Sequence, residues 1–492
     1  MAKDNEQPGP PRAASATAAG GAPGAASLRE TFARAAELHR TGRTDEAIAI
    51  YRRLVLAAPR HTGCWTNLGV LWRTKKKPEL AVLCHRRALA IDASAAGTWS
   101  NLGNALKDLE RYPEAVMAHR RAVELGADVA LHWHNFGVTL REAGDTAEAV
   151  TALDRAVELQ PDHVDAHWDR SLCNLTLGRY AQAWDDYEWR WRLAEMNGVA
   201  VPPMPLWDGL PLNGRTLLLH AEQGFGDTIM ALRYLPRLAG LGGRIVLHVQ
   251  PEVMRLLGRP PNVDALAPRN QAPPPADCRL PLMTLLGRFT PDTDSVPPPL
   301  ALQVPEGAGA RARQVLGHFA DRFKIGIIWS GSVTFKNNHR RAVGLERFLP
   351  FAEIPGVQLF SLQKGPPYEE FKRLDPAPLV VDLGSHFDDF ADTAATLRQL
   401  DLVIMTDSSV AHLAGSLGVP IWNLLNFHAY WIYGEAEAGD STPWYASMRL
   451  IRQERPSDWD RVFDRARAAL EARVAEWRTA GGGRPASGPG LP

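Results

Sequence analysis

At 492 residues the chain is too long for one compact core, so two or three domains are expected. Lysine plus arginine and aspartate plus glutamate number 55 each, a balance that argues against a dedicated nucleic-acid binder with a strongly basic face. Cys64, Cys84, Cys173 and Cys278 lie far apart with no CxxC, which argues against a disulfide framework or zinc site and fits a reducing cytoplasm.

Residues 1–27 are rich in Ala, Gly, Pro and Ser with almost no large apolar side chain. Burial there cannot offset the entropy of ordering, so this segment is expected to be disordered, as is the tail 479–492. The opening Met-Ala-Lys-Asp-Asn-Glu lacks the apolar stretch of a signal peptide. No run of about 18 apolar residues occurs, so no transmembrane segment is expected; a cytoplasmic location follows, with peripheral membrane contact left open.

Residues 28–191 are periodic. Ala47, Ala81, Ala115, Ala149 and Ala183 stand 34 residues apart, and Trp65, Trp99 and Trp133 keep the same step. So do Leu68-Gly69, Leu102-Gly103 and Phe136-Gly137. This pattern resembles tetratricopeptide (TPR) repeats and implies an all-α solenoid of about five helix pairs, beginning near 28, 62, 96, 130 and 164. Pro59 and Pro161 fall where helices must stop. In the fifth repeat His167 replaces the tryptophan and Ser171 the glycine, and Tyr187-Glu-Trp-Arg-Trp191 reads as an aromatic cap packing against the next domain. Such arrays bind a protein partner or act as a spacer.

A Pro-rich linker is expected over 192–213. Beyond it, strands alternate with helices, which implies parallel α/β sheets. The expected strands are Thr216–His220, Arg244–Val249, one near Arg279–Leu282, Lys324–Trp329, Val357–Gln363, Val380–Leu383, Leu402–Thr406 and Ile421–Leu425. A helix is expected over Asp227–Ala239, another from Pro251, and a closing one over Trp459–Trp477. Two Rossmann-like halves, 214–305 and 306–478, would face a cleft.

Three strand-to-helix corners hold the candidate site residues. In Ala221–Ile229, Gly224 and Gly226 allow close backbone approach, and Asp227 either caps the helix or takes a proton from an attacking hydroxyl. In Trp329–Arg341, Ser330 and Gly331 offer a hydroxyl and a flexible backbone, while Lys336, Arg340 and Arg341 offer positive charge; a phosphate or plain solvent would suit them. In Thr406–Gly415, Asp407, Ser408 and Ser409 gather at a helix N-terminus, where amides favour a diphosphate, with His412 one turn on; a capped helix with a packed histidine is the alternative. Gln363, Lys364 and the acids Asp388, Asp389 and Asp392 are weaker signals. No Walker A, HExxH or GxSxG pattern is present.

Taken in order, Glu222-Gln-Gly-Phe-Gly-Asp227, the Trp329-Ser-Gly loop with Lys336, and Asp407-Ser-Ser-Val-Ala-His412 resemble glycosyltransferase family 9, the heptosyltransferase-like enzymes. The likeness is nearer to the bacterial proteins that place TPR repeats before such a domain. It extends over Trp207-Asp-Gly, Ser361–Gly365, Asp389–Thr393 and Ser441–Tyr445. The resemblance implies a GT-B fold and inverting transfer from a nucleotide sugar, with no cofactor and no metal. It implies Asp227 as general base, Lys336 on the donor phosphates, and Asp407, Ser408, Ser409 and His412 on the diphosphate turn. Heptosyltransferases usually carry Thr-Gly after that aspartate; Ser408 and Ser409 here put ADP-heptose as donor in question. The segment Asn426–Tyr433 is also unusual beside the family.

These readings make the chain a glycosyltransferase that moves a hexose or heptose to a hydroxyl acceptor, with the repeats recruiting a protein partner or acceptor. A TPR scaffold with a non-catalytic transferase-like domain is the alternative, as is a protein resembling O-linked N-acetylglucosamine transferase.

Overall fold

The computed structural model describes residues 24–482 except 198, 200, 223, 437 and 438. They form two compact units, one running to Leu177 and including Gln182–Val199, the other comprising Gly178–Ala181 and the chain beyond 200. The disorder expected for 1–23 and 483–492 lies outside the described residues. Residues 24–27, expected within that disordered segment, begin the first helix instead.

Helices follow in pairs: α1 (Gly24–Arg40) and α2 (Thr44–Ala57), α3 (Thr62–Thr74) and α4 (Pro78–Ile91), α5 (Ala96–Asp108) and α6 (Tyr112–Leu125). Then come α7 (Ala130–Ala143) and α8 (Thr146–Leu159), and α9 (Val164–Thr176) and α10 (Tyr180–Tyr187). In three of the pairs a large side chain packs over a glycine 16 residues earlier. A Cβ at Gly69 would come within 2.5 Å of the His85 ring, and one at Gly137 within 2.6 Å of Leu153. Gly103 meets His119 in the same way. The repeated alanines 47, 81, 115, 149 and 183 have no exposed surface.

The tryptophans have a second role. The indole Nε1 of Trp65, Trp99 and Trp133 donates to the carbonyl six residues earlier, at 2.8, 2.9 and 2.9 Å. His167, which breaks the sequence pattern, makes the same link through Nε2 to Pro161 at 3.0 Å. Its Nδ1 lies 2.5 Å from Asp186, and its ring stacks on Trp189 at 3.8 Å. The aromatic segment therefore closes onto the fifth repeat itself. Ion pairs also keep the period: Arg86–Glu114 at 3.0 Å and Arg120–Glu148 at 2.7 Å link successive repeats.

The second unit carries two wholly parallel sheets. The first comprises β1 (Thr216–His220), β2 (Arg244–Val249), β3 (Ala265–Pro268) and β4 (Cys278–Pro281), in the order β3-β2-β1-β4. The second comprises β5 (Phe323–Ile328), β6 (Val357–Ser361), β7 (Val380–Asp382), β8 (Leu402–Thr406), β9 (Ile421–Leu425) and β10 (Met448–Arg452), in the order β10-β9-β8-β5-β6-β7. Both are buried on two faces, so their central strands read as unbroken apolar runs. Each places its first strand centrally and reverses direction beside it, between β1 and β4 and between β5 and β8. That is the doubly wound order, in which ligands bind outside the carboxyl ends of the strands at the reversal.

The helices α11 (Phe225–Ala231), α12 (Pro251–Leu257), α17 (Phe390–Leu397), α18 (Ser409–Ser416) and α19 (Trp459–Thr479) cover these sheets, with α13 (Thr284–Phe289), α14 (Ala310–Gly317), α15 (Asn338–Arg341) and α16 (Tyr368–Leu374) between α12 and α17 in sequence. The helix expected over Asp227–Ala239 stops at Ala231 and continues as a 3-10 stretch to Leu238, because Pro236 lacks the amide an α-helix needs. Two edge strands, β3 and β10, escaped the sequence reading. Residues 204–212, read as linker, dock on the first sheet: Leu206 bridges Arg279 in parallel, and Trp207 is buried with Arg288 5.0 Å over its ring.

His85 and His119 are fully buried, and neither ring nitrogen of either has a hydrogen-bond partner among the described residues. Burial, aided by the charge of Arg73, pushes the His85 imidazole down to about 3; burial holds His119 well below its ordinary value. A depressed imidazole contributes stability that is fully present above the unfolded value near 6.5 and is lost as pH falls toward the folded value. Between pH 7 and 5.5 each should cost about 1 kcal/mol. Denaturant unfolding of His85→Leu and His119→Leu, which copy the Leu153 arrangement, should show a correspondingly smaller loss than the parent; an unchanged pH slope would contradict it.

Candidate functional site

The two sheets of the second unit meet where α11, leaving β1, packs on α18, leaving β8. The contact is set by Gly226 and His412: a Cβ at residue 226 would lie 2.7 Å from His412 Cδ2. The imidazole is 5% exposed, and its Nδ1 is 3.0 Å from the Tyr445 hydroxyl. Burial pushes it down to about 4, although the Asp407 carboxylate works against this, so it is neutral at pH 7. Gly415 makes room for the Tyr445 ring, at 2.5 Å from its own Cβ position.

Asp227 stands in the first turn of α11, partly buried. Its Oδ1 accepts from the Tyr430 hydroxyl at 3.1 Å. This bond joins the first sheet's helix to the segment after β9. Gly224 precedes α11, and Asp227 Oδ2 would lie 2.9 Å from a Cβ there. Thr228 and Gln250 fasten the corner: Thr228 Oγ1 donates to Gln250 Oε1 at 3.0 Å.

The second corner is organised from within. Gln363 Oε1 accepts from the amides of Trp329 and Ser330 at 3.2 and 3.1 Å, and its Nε2 donates to Ser330 O at 3.1 Å. Asn338 Nδ2 donates to Ser330 Oγ at 3.0 Å. Gly331 leaves space for Arg341, whose guanidinium would lie 2.7 Å from a Cβ at 331. Lys336 is exposed, with no hydrogen bond or ion pair among the described residues. Arg340 is partly buried, and the exposed Lys364 donates to Phe387 O.

At the third corner Asp407 is committed to protein partners. Its Oδ1 accepts from Tyr433 at 2.7 Å and its Oδ2 from Arg341 Nη1 at 3.1 Å. Arg341 also lies over Phe335, 4.4 Å from the ring centre. The Tyr433 hydroxyl, buried beside that carboxylate, is pushed well above its ordinary value. Ser408 caps α18, its Oγ accepting from Val410 N at 3.3 Å, and Ser409 opens the helix. Asp407 therefore positions Arg341 and Tyr433 rather than facing an anion itself.

The structure thus brings together Asp227, Gly226 and His412, and separately Ser330, Gly331, Gln363 and Asp407. Tyr430, Tyr433 and Tyr445 were not singled out from sequence, though two lie in the unusual segment 426–433. Arg233 was also missed. It is buried, donates to Met230 O, Pro297 O and Trp444 O at 3.1, 3.2 and 3.0 Å, and lies 4.9 Å from the Trp444 and Tyr445 ring centres. Asp389 and Asp392, read as weak signals, grip Arg255 of α12 at 2.7 Å each, and Asp389 also caps α17. Among the described residues, no group of three or more His, Cys, Asp and Glu could hold a metal ion, and no helix is long and apolar enough to cross a membrane.

Comparison with known proteins supports the repeats directly. Residues 32–96 and 134–192 match one tetratricopeptide repeat model, and 94–162 match another, so the amino-terminal unit is a TPR solenoid. Protein FlbA of Caulobacter vibrioides is 27% identical over 329 residues, covering 61% of this chain; the chain spans 54% of the length of FlbA. Among solved structures, MamA from Desulfovibrio magneticus is 15% identical with a TM-score of 0.30, covering 35% of this chain and 94% of its own. A Pseudomonas aeruginosa pilF structure is 20% identical with a TM-score of 0.32, covering 33% of this chain and 75% of its own.

Overfilling the α11–α18 contact should separate the halves. Gly226→Ala should destabilise the protein by about 1–3 kcal/mol in chemical denaturation. Adding His412→Ala should recover part of that loss; additive losses would show that residues 226 and 412 do not share the contact.

Proposed function

We propose that the second unit is a GT-B-type glycosyltransferase that moves a hexose or heptose from a nucleotide sugar to a hydroxyl acceptor, and that the TPR solenoid recruits the protein partner or acceptor. The observation that carries this reading is the Tyr430–Asp227 bond: a carboxylate at the reversal point of one doubly wound sheet is held from the loops of the other. A carboxylate so placed is suited to take the proton of the acceptor hydroxyl as its oxygen attacks the anomeric carbon. The bond to the diphosphate breaks on the opposite side, which inverts the configuration, and the electron pair leaves with the phosphate. The negative charge gathered there calls for fixed donors and cations. Lys336, Arg341 held by Asp407, and the α18 amides at Ser408 and Ser409 would supply them without a metal. Neutral His412 would pack the helix rather than transfer a proton.

The test is nucleoside diphosphate release from a panel of nucleotide sugars, with candidate acceptors captured on the full chain. Asp227→Ala should slow release by about 10²–10⁴-fold. Donor binding without release in the wild type would favour a scaffold; equal release from both proteins would remove Asp227 from the chemistry. Lys336→Ala should weaken nucleoside diphosphate binding by about 10- to 100-fold, the range for one lost charged hydrogen bond, as read by titration calorimetry. An unchanged dissociation constant would contradict its role.

A further inference from the structure

The first sheet carries polar side chains that the transfer reading does not use. Lateral register puts His220, His248 and Ala267 side by side near the carboxyl ends of β1, β2 and β3. Strand neighbours in register share a face of the sheet. Arg279, paired with Leu218 two residues before His220, falls on the same face, and its Nη1 donates to His220 Nε2 at 3.4 Å. Arg269 lies one residue beyond β3, its amide bonded to Val249 O at 2.7 Å.

One of these cations is unsatisfied. Arg269 is partly buried, yet its guanidinium makes no hydrogen bond or ion pair among the described residues. His248 is 5% exposed; its ring hydrogen-bonds the backbone at Pro268 and Gln271, while its Nε2 has no close partner among the described residues. Burial pulls Arg269 below its ordinary value, with the charge of Glu222 opposing it. Burial also pushes His220 down to about 3, with Arg279, Arg269 and His248 adding to the effect, and lowers His248. The ionisable groups around the site are therefore two guanidiniums, two imidazoles held neutral and one carboxylate. A cation removed from water without a partner is costly, and a guanidinium fork matches a planar or tetrahedral oxyanion.

We propose that this carboxyl edge is an anion subsite in which Arg269 binds an oxyanion, a carboxylate or a phosphate, with Arg279 held behind it by His220. The subsite lies on the same sheet as Asp227, two strands from the corner that carries it. The proposal rests on the transferase reading only in assigning the anion to the acceptor.

Calorimetric titration of the full chain, free of nucleotide, with inorganic phosphate, glucuronic acid and glucose tests it. The wild type should bind phosphate or glucuronic acid and ignore glucose; the anion that binds identifies the class. Arg269→Gln should weaken that binding tenfold or more with no change in melting temperature, and Arg269→Lys should weaken it less. Binding equal in wild type and Arg269→Gln, or no binding of either anion to the wild type, would overturn the subsite. Anion binding lost with Arg269→Gln, in a protein that releases no nucleoside diphosphate from any donor, keeps the subsite and overturns only the transferase reading.

Discussion

The second unit depends on one close approach: α11 against α18, with a glycine on one side and a buried neutral imidazole on the other. Had the imidazole carried a charge, its desolvation would have opposed the contact. Tyr445 fixes the ring, Gly415 admits Tyr445, and Arg233 lies over the Tyr445 face. From this centre outward the polar groups are assigned in pairs. Tyr430 holds Asp227, and Tyr433 with Arg341 holds Asp407. The two carboxylates, each following a strand beside a reversal, consequently differ in character. One is partly open with a phenol partner; the other is buried between a phenol and a guanidinium.

Much of this was legible because the chain writes it locally. Strands β1, β5 and β8 are short apolar runs followed within four residues by Gly, Ser or Asp, and those corners hold the candidate site residues. The 34-residue period announced the helix pairs. What the sequence hid was of two kinds. Some elements lack a local signal: β3 is only Ala265–Pro268 at a sheet edge, and β10 lies at the far edge of the other sheet. Other features are long-range pairings. Tyr430 reaches Asp227 across 203 residues, and Arg233 reaches Trp444 across 211. No periodicity or spacing encodes such contacts; only the folded sheets bring them together.

His167 shows a third case, in which type and role separate. Read by residue type, it departs from the tryptophan series. Read by hydrogen bonding, it continues that series, donating to the carbonyl six residues back while adding Asp186 and Trp189 as neighbours. The last repeat thus keeps the array's internal geometry and gains a polar contact with its own second helix and an aromatic one with the segment that follows.

The small-over-large packing in the solenoid has a consequence for how such a chain can change. Gly69 with His85, Gly103 with His119 and Gly137 with Leu153 are buried couples, each 16 residues apart. The space belongs to the couple, so neither member is free to vary in volume alone. A hairpin transplanted whole carries both halves of its fit, whereas a single helix grafted from another repeat arrives with a bulge or a void. The unit of exchange in this array is the helix pair.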